Sequence, residues 1–275
     1  MRILAIETTT DVCSIAVSTI SVAMAANSEA AAANSEAAAA LSNAAAEPSN
    51  ATPAPAIQRS MRTQIGLVED TRIAPRLHNR LVLGMIDALL GAMGIAPKDL
   101  DALAFSAGPG SFTGVRIGAS VCQGIALAAD LPVVRVPTSA VLARAHCDAN
   151  RGDRSVGGVG GVGGGVWGIV TVRRSRKGYS YVAKYEQAAD SINCVAFDRL
   201  SSDEEVLALE LADGWMICGD CERNDAVPAR PLSARLVAML AVFDQASEAS
   251  PVETYDAAAA IPYYVEGDSP WKKSL

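Results

Sequence analysis

A glycine-punctuated run, Gly108-Pro109-Gly110-Ser111-Phe112-Thr113-Gly114-Val115-Arg116-Ile117-Gly118, sits between a short apolar strand at 103–106 and an apolar helix reaching about Ala129. A strand that turns this tightly into a helix constrains the chain to an α/β arrangement. Gly108 and Gly110 permit positive φ or close backbone approach. Ser111 or Thr113 can cap the helix amides, and a helix start of this kind favours anions. The residues alone leave two readings open, a phosphate cradle at Gly108, Gly110, Ser111 and Thr113 or a plain tight turn. The spacing is neither that of a Walker loop nor that of a dinucleotide fingerprint. Further along, Gly114, Gly118 and Cys122 share one helix face. That small stripe lets another helix approach closely, either inside the chain or from a partner subunit.

The flanking sequence continues the alternation. Residues 3–7 predict a buried strand ending in a carboxylate, and residues 14–17 a second strand after a polar turn. Leu77, Leu81, Val82, Met85, Ile86, Leu89 and Leu90 form a 3.6-period stripe over a helix from His78 to Met93, closed by Gly94 and Pro97. Pro132 to Pro137 reads as a strand, followed by a helix capped by Ser139. Later strands are expected at 167–172, 179–185 and 215–218, with helices at 204–211 and 233–243. An alanine-rich insert at about 21–60 repeats Asn-Ser-Glu-Ala at Asn27 and Asn34. A glycine tract at 157–165 reads as a linker. Order returns after Pro75 in this reading. The pattern predicts two α/β domains, residues 1–148 and 149–275.

Charge and chemistry narrow the function. Net charge is −7, which disfavours a stand-alone nucleic-acid binder. No run of 18 uncharged apolar residues occurs, so no membrane span is expected and a cytoplasmic protein is the default. Six cysteines in this length are not a disulfide framework. Cys218-Gly-Asp-Cys221 is a lone CxxC without the second pair a structural zinc site needs. His78 and His146, the only histidines, are far apart. No metal site and no catalytic trio are visible.

The residues resemble the TsaB family, non-catalytic members of the bacterial machinery that makes threonylcarbamoyladenosine beside the tRNA anticodon. The resemblance rests on Arg2 to Thr8, Cys13 to Val17, the His78 helix start, Leu103 to Gly118, Gln123 to Leu127, Pro262 to Val265 and Trp271 to Lys273. It implies an α/β actin-like ATPase (ASKHA) fold of two related domains with mixed sheets, within the glycoprotease-like (Gcp-like) family. It also implies pairing with the catalytic paralogue TsaD, and through TsaD with the ATPase TsaE. The helices at 78–93 and 114–129 would contact TsaD or a second copy, giving a heterodimer or a homodimer. The expected interface is His78, Leu81, Val82, Met85, Gly114, Arg116, Gly118 and Cys122. Transfer RNA would be met only indirectly.

Two departures from that family matter. The acids of its second-domain motif are replaced by Arg174 and Tyr179. Its phosphate-loop glycine is replaced within Glu7-Thr8-Thr9-Thr10 by Thr9, which predicts weak or absent ATP binding by this chain. The resemblance therefore implies a subunit without catalytic residues, metal or cofactor of its own, with ATP handled by its partners. The alternatives are an independent nucleotide-binding protein using the 108–114 turn and, from the label carried by relatives, a glycoprotease-like hydrolase.

Overall fold

A computed structural model describes residues 1–19, 58–64, 66–150, 167–188, 191–243 and 253–265. The alanine-rich insert up to residue 57, the glycine tract and Trp271 to Lys273 lie outside these described residues.

The amino end forms β1 (Arg2–Glu7) and β2 (Val12–Thr19), paired antiparallel from Arg2↔Thr19 to Glu7↔Ser14. Strands β3 (Gln58–Gln64) and β4 (Leu67–Ile73) extend this sheet beyond β2. Helix α1 (His78–Ala92), β5 (Ala102–Gly108), α2 (Phe112–Ala129), β6 (Val133–Pro137) and α3 (Thr138–Asn150) follow. The second sheet begins with β7 (Trp167–Arg174), β8 (Tyr179–Ala188) and β9 (Ser191–Ser202). After the short α4 (Asp203–Leu207) come β10 (Trp215–Gly219), β11 (Val227–Pro228), α5 (Ala234–Phe243) and β12 (Glu253–Tyr255).

The first sheet runs β12-β6-β5-β1-β2-β4-β3 and the second β11-β10-β7-β8-β9. Both repeat one plan: an antiparallel meander, then a strand parallel to its first member, then another parallel strand outside that. The duplication gives the two related α/β units with mixed sheets that the family resemblance implies, where strand–helix alternation alone pointed to a mainly parallel sheet.

Period-two alternation sets the layers. Leu4 and Ile6 face α1 and α2 with Cys13, Ile15, Leu103 and Phe105. Ile3 and Ala5 face the opposite way, with Ala16, Ala102 and Ala104, onto α3 and α5. The same inner cluster takes in Ile169, Ala183 and Tyr185 of the second sheet. The first sheet thus packs on α5, the second on α3, and the two helices on each other, while Val206 of α4 packs with Val170, Val172 and Ile217 on the far face of the second sheet. Small side chains line the inner layer and bring the helices close to the first sheet.

Several elements differ from expectation. The chain is ordered before Pro75, because β4 pairs with β2 along its whole length. Its charged sequence hides it: Glu69 and Asp70 are buried, and both are partnered. Strand β9 occupies a stretch where the sequence reading placed no element. Ser139 lies inside α3 and its hydroxyl meets Tyr185 and Asp198 instead of capping the helix. The boundary at 148 separates the sheets, yet α5 packs on β1 and β2, and β12 pairs with β6. Helix α2 has 18 residues and a mean hydropathy of 1.3, enough by length and composition to cross a bilayer. Here its Gly114, Val115, Gly118, Ala119, Cys122 and Ala126 are buried on the first sheet.

Candidate functional site

The β5–α2 turn is built around Thr8 and Thr9 at the end of β1. The Thr8 hydroxyl donates to the Gly114 carbonyl at 2.8 Å. A Cβ on Gly114 would lie 1.9 Å from the Thr8 carbonyl oxygen, and one on Gly118 would lie 2.9 Å from the Thr8 Oγ1. A Cβ on Gly110 would come within 2.9 Å of the Thr9 Cβ. The small stripe therefore packs internally: Thr8 fills the notch between Gly114 and Gly118. Gly108 has φ +105°, and its missing Cβ makes room for the Tyr263 carbonyl.

Hydrogen bonds complete this closure. Ser111 N donates to the Thr9 carbonyl at 2.9 Å, and Ser111 Oγ caps α2 by accepting from Gly114 N at 3.3 Å. The buried Glu7 carboxylate accepts the Thr9 amide and hydroxyl, each at 2.6 Å, and the Ser106 hydroxyl. The Glu7 carboxylate thus ties the turn after β1 to β5. This packing accounts for the glycines as those of a tight turn. Ser111 and Thr113 remain exposed, on the wall of a cleft.

The residues expected at a partner interface divide. Val82, Met85 and Cys122 are buried in the chain's own core, as are Gly114 and Gly118. The same periodicity that marks a contact stripe also marks a core stripe, and here the first sheet takes it. His78 is buried, its Nε2 3.1 Å from the Val12 carbonyl, so it ties α1 to β2. Leu81 is half-buried. Arg116 is the member that reaches the outside. Its Nη1 donates to the Phe112 carbonyl at 2.8 Å and its guanidinium lies 3.4 Å from the Phe112 ring centroid.

The outward side of α1 and α2 carries different residues. Leu83 is 59% exposed and Phe112 62%. With Ile117, Val121 and Arg116 they line an apolar groove of about 370 Å³. Tyr264, 64% exposed, brings its ring to 5.3 Å from Arg116. The sequence did carry a signal for this face: Phe112 and Arg116 are four apart, the spacing at which an aromatic and a cation meet on a helix.

Elsewhere the titratable groups read as structural. Burial pushes the Cys13 thiol up to about 12 and raises Cys122 and Cys218 further. A reactive thiol needs the opposite shift. Cys218 is the penultimate residue of β10, so the CxxC is a strand entering a turn. Burial, aided by the Arg230 cation, holds His146 down to about 4. Asp198, hydrogen-bonded by the Ser139 hydroxyl at 2.5 Å, is raised to about 7 by burial. Arg174 reaches Glu222 at 3.5 Å and Arg176 lies over the Tyr179 ring. No group of three or more His, Cys, Asp or Glu side chains suited to a metal occurs among the described residues.

Two mixed sheets with packed helices, and a glycine turn sealed against the first hairpin, define an α/β protein whose fold is that of the YeaZ structure. The YeaZ structure from Pseudomonas aeruginosa matches 96% of this chain and 99% of its own with a TM-score of 0.62 at 23% identity. Residues 60–155 match the family model of TsaD, tRNA N6-adenosine threonylcarbamoyltransferase. The tRNA threonylcarbamoyladenosine biosynthesis protein TsaB of Haemophilus influenzae is 27% identical over 202 residues, 73% of this chain and 85% of that one. The Escherichia coli TsaB is 33% identical over 120 residues, 44% of this chain and 46% of that one. Over most of its length the chain is thus similar to a TsaB protein.

Proposed function

We propose that the chain serves threonylcarbamoyladenosine formation on tRNA as a non-catalytic subunit that docks a TsaD-type protein, and through it a TsaE-type ATPase. The observation that carries this reading is the outward groove between α1 and α2, where Leu83 and Phe112 stay about 60% exposed beside Arg116. Large apolar side chains left this open mark a contact surface. The inward stripe on the same helices is already used by the core, so docking falls to Leu83, Phe112, Arg116, Val121 and Tyr264. A second copy of the chain would compete for this face. In this reading ATP is handled by the partners, which the bulk of Thr9 within Glu7-Thr8-Thr9-Thr10 supports. The net charge of −7 agrees with indirect contact to tRNA and the whole assembly is cytoplasmic.

Calorimetric titration with the cognate TsaD-type protein tests this. The folded chain binds, and Leu83→Asp with Phe112→Asp weakens binding at least about tenfold, or about 1.4 kcal/mol, with unchanged thermal stability. A folded wild-type sample that gives no binding would overturn the proposal. Light scattering before and after adding the partner separates self-pairing from heterodimer formation.

A further inference from the structure

The charge of the chain is unevenly spread. Residues 167–202 hold six Lys or Arg against three Asp or Glu, in a molecule of net charge −7. Four of those six stand within Arg173 to Lys177, where β7 turns into β8.

This turn is held in one shape. Tyr179 N donates to the Arg176 carbonyl at 2.9 Å, and Ser175 N to the Tyr179 carbonyl at 3.1 Å. Gly178, third of the four turn residues, has φ +84°, the conformation that a glycine takes there at no steric cost. Asp203 N donates to the Gly178 carbonyl at 3.0 Å and fastens the tip to the end of β9. Arg174, Arg176, Lys177 and Tyr179 are exposed at the tip, Tyr179 by 40%. The Arg176 guanidinium lies 4.8 Å from the Tyr179 ring centroid. Arg199 of β9 is exposed as well. Arg199 pairs with Val182 and Arg174 with Ser180, two residues apart on β8, so both arginines lie on one face of the sheet. Acids answer part of this charge. Glu222 lies 3.5 Å from Arg174, Asp203 accepts from Ser180 at 3.4 Å, and Glu205 accepts the Ser202 amide at 2.8 Å. Lys177, at the corner, makes no ion pair among the described residues.

We infer, on the basis of the proposed function, that the β7–β8 turn makes a direct contact with the backbone of RNA, with Arg174, Arg176, Lys177 and Arg199 on phosphates and Tyr179 against a base. Guanidinium groups match phosphate oxygens in a two-point fork, and an exposed ring offers a face on which any base can stack. An acidic protein surface would meet the same cations but leave the ring unused. The net negative charge makes the chain by itself a poor holder of RNA. The turn therefore acts as a second hold on a tRNA brought by the partner, beyond the indirect contact proposed above. Arg174 and Tyr179 stand where the resembled family carries acids, so the surface belongs to this chain and not to the fold. It lies on the second sheet, apart from the α1–α2 groove, so its substitution leaves docking intact.

The test is fluorescence anisotropy of a labelled, unmodified tRNA transcript titrated with the chain and its TsaD-type partner together, over a range of salt. The variant Arg176→Ala, Lys177→Ala loses at least about fivefold in affinity, and its slope of log affinity against log salt falls by about 1.4–1.8, as two phosphate contacts require. Arg176→Lys keeps the slope. Tyr179→Ala loses about fivefold with the slope unchanged, because stacking releases no counterions. Melting temperature and calorimetric affinity for the partner stay at wild-type values in all of them. A double alanine variant that binds the partner and still binds the transcript as wild type does would overturn the RNA contact. So would poly-glutamate that competes as well as unlabelled transcript, since the surface would then serve an acidic protein. Absence of partner binding would instead overturn the proposed function. The same comparison on the chain alone at low salt then decides on the turn, and no binding, or equal binding by variant and wild type, overturns it.

Discussion

Single residues decide how the amino-terminal unit closes. Gly114 and Gly84 lie on neighbouring helices and have opposite roles. A methyl group at Gly114 would strike the Thr8 carbonyl at 1.9 Å, while nothing lies within 4 Å of a methyl group at Gly84. Gly114→Ala is expected to cost about 3 kcal/mol, the upper end for overpacking, because backbone cannot yield as a side-chain tip can. Gly84→Ala is expected to gain about 0.5–1 kcal/mol by restricting the unfolded chain in a helix interior. Urea unfolding of both variants checks the pair, and equal effects would contradict the notch. Substitutions at 114 and 118 therefore report on folding, and docking has to be probed at Leu83 and Phe112.

Asp198 gives a residue-scale pH dependence. Its folded pKa is raised from 3.8 to about 7. The folded state then holds a proton that the unfolded state releases above about pH 4. Stability falls as pH rises from about 4 to 7 and levels off beyond, since the unfolded state binds fewer protons in that window. Asp198→Asn removes the titration. The stability of the variant relative to wild type should climb across the same window by a few kcal/mol, at about 1.36 kcal/mol per pKa unit. Parallel stability profiles from pH 4 to 8 would count against the buried acid. The groups facing this carboxyl are Ser139, Arg173, Tyr185 and Cys194.

At the scale of elements, α5 is the join between the units. Its first amides are met from the first sheet: Ala234 N donates to Ser14 Oγ at 3.0 Å, and Arg235 N to Glu69 Oε1 at 3.0 Å. Glu69 also accepts from Ser14. A carboxylate from β4 thus caps a helix 166 residues later in the chain. Glu69→Ala removes the acceptor of the Arg235 amide and one partner of the Ser14 hydroxyl, and is expected to cost about 1.5–3 kcal/mol. Glu69→Gln should recover part of that loss. Chemical denaturation distinguishes them, and equal stability of wild type and Glu69→Ala would refute the capping role. This tie also explains why β4 escapes pattern reading. Leu67-Val68-Glu69-Asp70 resembles a loop boundary until the partners of its acids are known. By contrast, α1, α2 and β1 are legible, because each presents an unbroken apolar period.

For the molecule as a whole, the carboxyl end returns to the amino-terminal sheet. Strand β12 pairs with β6, and Tyr263 N donates to the Ala107 carbonyl at 2.8 Å. Arg135 of β6 lies against the Tyr255 and Tyr263 rings at 4.5 and 3.9 Å. A fragment of residues 1–148 would lose α5 and β12 and uncover Ile3, Ala5 and Ala16. Such a fragment is expected to lack a cooperative thermal transition by circular dichroism. A sharp transition comparable with that of the full chain would show the first unit to be autonomous.

Local pattern alone sets the alternation of strands and helices, the glycine turn and the helices beside it, because apolar periods and backbone-permissive residues act locally; the duplication came only with the family resemblance. The sequence also pointed to the TsaB-like group through residues gathered in the first half. Only the tertiary structure decided which face of each helix remains outside. A stripe of Val82, Met85 and Cys122 looks the same whether it meets a partner or its own sheet. The choice depends on Thr8 seating between Gly114 and Gly118, a contact between residues about a hundred positions apart that no local pattern encodes.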